Sequence, residues 1–78
     1  MADKMDSDRI KEIYKLCKTH FGDVRFVGIK YQNKMGWLAK AELGEDFENL
    51  TADGKTSTDA LRKLRDRVKK IIKRYNRV

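Results

Sequence analysis

The stretch "DVRFVGIKYQNKMGWLAKAEL" (Asp23–Leu43) decides the predicted fold, because it has the pattern of two strands joined by a short turn. Its first third is rich in β-branched and aromatic residues, which fit a pleated surface. Alternation there predicts two faces, with Val27, Ile29 and Tyr31 on one and Val24 and Phe26 on the other. The segment "QNKMG" has turn composition, and "WLAKAEL" then alternates apolar with more polar side chains. The stretch therefore predicts an antiparallel hairpin.

A helix is predicted before the hairpin, from about Asp8 to about His20. Ser7 or a neighbouring Asp can cap its start, and Gly22 ends it, since glycine tolerates the left-handed conformation after a helix. Apolar residues recur at steps of three and four, which is the helical period. This apolar row is Ile10, Ile13, Tyr14, Cys17 and Phe21, widened by Leu16.

A weaker third strand and a second helix are predicted after the hairpin. The strand is "FENLTAD" (47–53), with Phe47 and Leu50 as its large apolar side chains. Thr56 and Asp59 then form a capping-box pattern, and the helix runs from Asp59 to about Tyr75. One face of this helix is apolar: Leu61, Leu64, Val68, Ile71, Ile72 and Tyr75.

These elements predict an α+β fold of the order α-β-β-β-α. A three-stranded antiparallel sheet with one apolar face needs a cover, and two amphipathic helices supply it in a two-layer sandwich. The 78 residues are expected to form a single domain, 1–78, with residues 1–6 disordered. No apolar run approaches the length of a membrane span. With no signal-peptide pattern and a lone Cys17, a cytoplasmic location without membrane contact is expected.

The charge is concentrated in the last quarter of the chain. The net charge is +7 in total; residues 1–59 carry ten Lys or Arg and eleven Asp or Glu, which gives −1. Residues 60–78 carry nine Lys or Arg and one Asp, which gives +8. Such a concentration makes a directional field that attracts a polyanion or an acidic surface.

The basic residues of the second helix follow helical spacing. Four are predicted as main phosphate contacts and four as supporting contacts: Lys63, Arg67, Lys70 and Arg74, then Arg62, Lys69, Lys73 and Arg77. Asp59 can pair with Lys63, and Asp66 with Lys70, at the i,i+4 spacing. The other cations are left uncompensated within the helix. A solvated basic face whose long stems cover the core edge is the alternative interpretation.

No segment predicts catalytic chemistry, a metal site or a cofactor. His20 is the single histidine, and a polar residue near a helix end explains it, while Cys17 on the apolar row predicts a buried small side chain. "GKTS" (54–57) has Asn49 where a P-loop needs glycine, so it predicts a turn and a helix cap. The acids Glu42, Glu45, Asp46 and Glu48 predict ordinary solvated carboxylates. A non-enzymatic protein is therefore expected.

The element order and "GKTSTDALRKL" (54–64) resemble the double-stranded RNA-binding domain. The resemblance implies that the last helix faces phosphates across the RNA groove. The stretch keeps Gly54, Ser57 and Ala60 of the family pattern, with Lys55 before the helix. The family's adjacent lysines would fall at Thr58 and Asp59, and "QNKMG" contains no groove-reading histidine.

A second, local resemblance covers roughly the central half of the chain. "GWLAKAEL…GKTSTDAL" is similar to the pattern of HicB-type antitoxins, in which an aromatic-led strand precedes G-x-T-x-x-(E/D)-A-L at a helix start. It implies a regulator that binds a protein partner.

Together these features predict a small nucleic-acid-binding module that uses its basic last helix for mainly phosphate contacts, on DNA or RNA. The alternative is a protein–protein regulator or inhibitor, antitoxin-like or phage-type, whose basic helix docks on an acidic partner. A small structural subunit is a third class. An edge strand can also pair with a second copy, so a homodimer is a further expectation. Tyr31 and Trp37 can stack on a base if they face solvent, and Trp37 is expected in the core.

Overall fold

A computed structural model describes residues 6–34, 36–44 and 47–75. Their elements are helix α1 (Asp6–Phe21), strands β1 (Val24–Gln32), β2 (Gly36–Leu43) and β3 (Leu50–Gly54), and helix α2 (Ser57–Tyr75). The strands form an antiparallel sheet of order β1-β2-β3. The predicted α-β-β-β-α fold is therefore confirmed. Neither α1 nor α2 combines the length and the apolar character that a membrane-spanning helix requires.

The core lies between one face of the sheet and the two helices. The helices contribute its large side chains, with Ile13, Leu61 and Leu64 fully buried. The sheet contributes mainly alanines: Ala39, Ala41 and Ala52. Small side chains on this face let the helices approach the sheet closely. Because both helices pack on this face, no described helix covers the opposite one. α1 packs on α2 and on β1, and α2 packs on β3 and β2 as well as on α1.

A β-bulge at the start of β1 overturns part of the predicted strand pattern. Val24 pairs with Leu43 and Phe26 pairs with Glu42, so Arg25 is the extra residue of the bulge. Val24 therefore lies on the same face as Val27 and packs against the core. The prediction that Val24 shares a face with Phe26 is wrong, because simple alternation assumes an unbroken ladder.

Three element boundaries also differ from the predictions, and one of them is the start of α2, which lies at Ser57 rather than at Asp59. α1 begins at Asp6 rather than Asp8, while residues 1–5, expected to be disordered together with Asp6, lie outside the described residues. β3 begins at Leu50 rather than at Phe47. The Phe47 ring instead lies 4.8 Å, centroid to centroid, from that of Phe21 and covers one end of the core.

Tyr14 does not belong to the buried row of α1 in which it was predicted. Ile13, Cys17 and Phe21 are buried, whereas Tyr14 remains 42% exposed on the outer side of the helix, toward β1. A helix buries only a stripe of its surface. Tyr14 lies at the border of that stripe.

The start of α2 is held by side chains and by close backbone packing. The backbone N–H of Asp59 donates to Thr56 Oγ1 over 3.0 Å, which confirms the predicted cap. The hydroxyls of Ser57 and Thr58 donate to the carboxylate of Asp6, which ties the first turns of both helices together. Gly54 lies directly under this turn: a Cβ at position 54 would lie 2.4 Å from the backbone nitrogen of Ala60.

Candidate nucleic-acid interface

Helix α2 carries the predicted site, and its buried face determines where the cations point. Leu61, Leu64 and Val68 are fully buried, and Ile71 and Ile72 are half-buried. With this face against the sheet, the remaining circumference of a helix about 28 Å long is available to basic side chains. These cations divide into two flanks, one beside β3 and one toward α1.

The flank beside β3 carries all four predicted main contacts. Lys63, Arg67, Lys70 and Arg74, which we call the basic stripe, are all exposed. From Lys63 to Arg74 the stripe extends about 16 Å along the helix axis. Arg67, Lys70 and Arg74 border a groove of about 310 Å³ whose apolar lining comes from Leu50 and Ile71. The fold therefore brings the four main contacts together along one outer border of the domain.

The side of α2 that faces α1 carries the supporting residues, and part of its positive charge is neutralised. Arg62, Lys69 and Lys73 are exposed on this side. Arg65 has the same spacing but is drawn inward, where its Nη1 lies 3.2 Å from Oε2 of Glu12 on α1. The fourth predicted supporting residue, Arg77, lies outside the described residues.

The basic stripe has no carboxylate partner among the residues that the structure describes. The ion pairs there join Arg9 to Asp6, Lys40 to Glu42 and Arg65 to Glu12. The pairs Asp59–Lys63 and Asp66–Lys70, which the i,i+4 spacing allows, are not formed within 4.0 Å. Both acids are exposed on the side of α2 that faces away from the sheet. The positive field of the stripe is therefore directed into solvent.

The chain matches no family model, no curated protein and no solved structure. The resemblances to the double-stranded RNA-binding domain and to HicB-type antitoxins therefore stay predictions.

The other sequence candidates occupy ordinary structural positions. Cys17 is fully buried as predicted, and desolvation by burial raises the pKa of its thiol to about 11. A thiol that stays protonated at neutral pH is a poor nucleophile. His20 is exposed in the last turn of α1. Within the described ranges, no three His, Cys, Asp or Glu residues are grouped closely enough to hold a metal ion.

The acidic residues near the second turn are only partly described. Glu42 pairs with Lys40 over 3.3 Å, and Glu48 is exposed. Glu45 and Asp46 lie outside the described residues. The two acids that can be placed are solvated surface carboxylates, as predicted.

The two aromatic residues considered for stacking form a pair near the hairpin turn. Trp37 is half-buried against the core, as expected. Tyr31 lies edge-on to it, with ring centroids 5.2 Å apart, and is 56% exposed. Both residues belong to the end of the sheet where α2 begins, because Trp37 pairs with Gly54. They are therefore distant from Lys70 and Arg74 in the second half of α2.

A second group of cations was missed by the sequence analysis. Lys11, Lys15 and Lys18 are exposed on the outer side of α1 around Tyr14, and we call this group the α1 flank. No described carboxylate lies within ion-pair distance of these lysines. Summing residues 1–59 to −1 concealed them, although the carboxylates of Asp6 and Glu12 contact α2 instead of these lysines. Their helical spacing on one side of Tyr14 is the signal that could have revealed them.

Proposed function

We propose that this protein is a small non-enzymatic nucleic-acid-binding module that contacts phosphates through the basic stripe of α2. The observation that carries the proposal is the exposure of Lys63, Arg67, Lys70 and Arg74 on one border, with no carboxylate partner in the described chain. Like-charged side chains three and four residues apart repel each other by a few tenths of a kcal/mol per pair. A phosphate backbone relieves this repulsion.

The dimensions of the stripe fit a polyanion better than a single small anion. Over about 16 Å, duplex DNA carries about ten phosphate charges. Lys63 and Arg67 lie about 6 Å apart along the helix axis, and Lys70 and Arg74 are separated by the same distance. Cations repeated along the axis in this way can contact several phosphates in a row. Arg62, Lys69 and Lys73 on the other flank extend the field around α2. We expect contacts to the backbone rather than to base edges, and therefore little sequence preference.

Salt dependence is the direct test of this proposal. Fluorescence anisotropy with a short DNA duplex, the matching RNA duplex and each single strand measures affinity as sodium chloride is raised. Neutralising four phosphates predicts a log–log slope of about −3 to −4 on duplex DNA. The comparison among the probes shows whether DNA or RNA is preferred. An affinity that hardly changes with salt contradicts the proposal.

Charge reversal locates the binding surface. The double variant Lys70→Glu with Arg74→Glu should lower the affinity for duplex by at least about tenfold at moderate salt. The matched control is Lys11→Glu with Lys15→Glu, which changes the net charge equally on the opposite side of the domain. Circular dichroism checks that both variants are folded. Equal losses in the two variants would show that net charge, rather than the stripe, determines binding.

One observation favours the alternative of an acidic protein partner. The groove beside the stripe has apolar residues, Leu50 and Ile71, between Arg67, Lys70 and Arg74, and such a lining suits an apolar side chain surrounded by carboxylates. A protein inhibitor or regulator that docks the stripe on an acidic surface would leave the nucleic-acid probes unbound. We expect either function in the cytoplasm, in keeping with the free thiol of Cys17.

A further inference from the structure

The outer edge of β1 adjoins an apolar groove on the border of the domain opposite the basic stripe. In the described chain β1 has a single neighbour, β2, so its other edge presents unpaired backbone groups. Between this edge and α1 lies a groove of about 330 Å³, lined by Ile10, Lys11, Tyr14, Lys15 and Val27. An exposed strand edge beside an apolar groove has the two elements that recognise an extended peptide.

The bulge limits the part of β1 that can accept a partner strand. The ladder is irregular between Val24 and Phe26 and regular from Val27 to Gln32. Six regular residues match the usual length of a strand. Val27 lies at the start of this regular segment and also lines the groove. A strand paired to the edge therefore directs alternate side chains toward the groove.

The charges of the α1 flank argue against a second copy as the occupant. Symmetric pairing of two β1 edges would place Lys11, Lys15 and Lys18 of one copy close to the same lysines of the other. Like charges held in register across an interface are strongly unfavourable. Cations also border β3, so the same repulsion opposes a dimer through the other edge. The predicted homodimer stays untested, and both edges suit an acidic heterologous partner better.

We propose that the β1 edge and its groove bind an extended acidic segment of a partner protein by strand addition. One apolar side chain of the segment fills the groove against Ile10, Tyr14 and Val27, and flanking carboxylates meet the ammonium groups of Lys11 and Lys15. Backbone hydrogen bonds to residues 27–32 supply the remaining interaction. This inference concerns a different surface and does not rest on the proposed nucleic-acid function.

A peptide occupant is favoured over a nucleic acid by the chemistry of the groove. Ile10 and Val27 present only hydrocarbon, so the polar edges of a base buried between them would lose hydrogen bonds. The free edge of β1 offers backbone donors and acceptors in the repeat of another strand, which a sugar–phosphate backbone does not match. The lysines alone would suit either a nucleic acid or an acidic peptide. The strand edge and the apolar groove together favour the peptide.

Three labelled peptides of about ten residues test the proposal on the full chain. The first has a central phenylalanine flanked by glutamates and threonines, the second replaces the phenylalanine with serine, and the third repeats the first with alternate backbone nitrogens methylated. Fluorescence anisotropy should show binding of the first peptide and losses of at least about fivefold for the other two. Hydrogen exchange should show added protection within residues 27–32 when the first peptide is bound.

Protein variants complete the test. Lys11→Glu with Lys15→Glu should weaken the first peptide by about tenfold, whereas Lys70→Glu with Arg74→Glu should leave its affinity unchanged. The reverse pattern is expected for duplex nucleic acid, so failures of the two proposals are distinguishable. The inference is overturned if the first peptide does not bind, if methylation has no effect, or if protection maps to β3. It is also overturned if an oligonucleotide, and not the peptide, occupies the α1 flank.

Discussion

Arg65 Nη1 lies 3.2 Å from Glu12 Oε2, and this ion pair joins α2 to α1 on the flank opposite the basic stripe. About a third of each side chain is exposed, with values of 38% and 31%. Nε of Arg65 is buried without a hydrogen-bond partner in the described chain, so the pair with Glu12 compensates the burial of the guanidinium. Arg65 is therefore a structural residue, in contrast to the solvent-facing cations of the stripe.

We predict that Glu12→Gln lowers the free energy of unfolding by about 1 kcal/mol, because the half-buried guanidinium loses its carboxylate. Urea denaturation measures this change. Asp66→Asn is the matched control, since Asp66 is exposed on α2 and forms no ion pair in the described chain. A change of at most about 0.5 kcal/mol is expected there. Equal effects of the two substitutions would show that the contact between the helices adds no stability.

We predict that Gly54→Ala is more destabilising than Gly28→Ala. A Cβ at position 54 would lie 2.4 Å from the backbone nitrogen of Ala60, and α2 must shift to accept it, at a cost of about 1–3 kcal/mol. A Cβ at position 28 would lie 2.5 Å from Cζ of Phe26. That ring is the end of a half-exposed side chain and can swing away, so a change of at most about 0.5 kcal/mol is expected. Urea denaturation of both variants decides the order, and a larger loss for Gly28→Ala would contradict it.

We predict that burial of Cys17 makes the fold sensitive to alkaline pH. The thiol pKa rises from its ordinary 9.0 to about 11 on folding, so between these values the folded chain keeps a proton that the unfolded chain releases. Stability from this group is complete below pH 9.0 and is lost as the pH rises toward about 11. The loss is about 1 kcal/mol by about pH 10.

The alkaline effect is measured as a difference between two proteins. Wild type and Cys17→Ala are unfolded in urea at neutral pH and at about pH 10, and their stability gap should narrow by about 1 kcal/mol. All other ionisable groups are common to both proteins, so their contributions cancel in the difference. A gap that stays constant with pH would contradict the prediction.

We predict that Lys70→Gln makes the salt slope for duplex DNA shallower by about 0.9, because one phosphate contact is lost. Its control is Lys18→Gln on the α1 flank, for which an unchanged slope is expected. Both lysines are exposed helix residues, so neither substitution should alter the fold. Anisotropy titrations at several salt concentrations measure both slopes. A shallower slope in Lys18→Gln would place the nucleic acid on the α1 flank and would contradict the prediction.

Helical periodicity predicted α2 well because a single row of contacts determines its orientation. Leu61, Leu64 and Val68 recur at helical steps, and all three are buried. The hairpin was equally clear from alternation around a polar turn. The bulge at Arg25 could not be predicted from alternation. It arises from the register between β1 and β2, and the sequence of a single strand does not show that register. The third predicted strand has two large apolar residues, Phe47 and Leu50. Two such residues are too few to show that β3 begins at Leu50 rather than at Phe47.

The candidate site was predictable only in part. The electrostatic field at a surface depends on where the charged side chains point as well as on how many there are. The stripe from Lys63 to Arg74 follows from helical spacing. Its lack of carboxylate partners depends on where the acids of residues 1–59 are placed, and that is a tertiary property. The same net sum concealed Lys11 and Lys15, because the neighbouring acid Glu12 is paired with Arg65 of α2 instead. The inward turn of Arg65 likewise depends on Glu12, which is 53 residues distant in the chain.

The bond from Ser57 to the carboxylate of Asp6 spans 51 residues and has a consequence for the order of folding. α1 is synthesised before α2, so its stabilising contacts with α2 form only after α2 has also been synthesised. Contacts so remote along the chain slow the search for the native state. A chain without α2 would leave Ile13 and Cys17 uncovered on that side, so α1 and α2 must fold together.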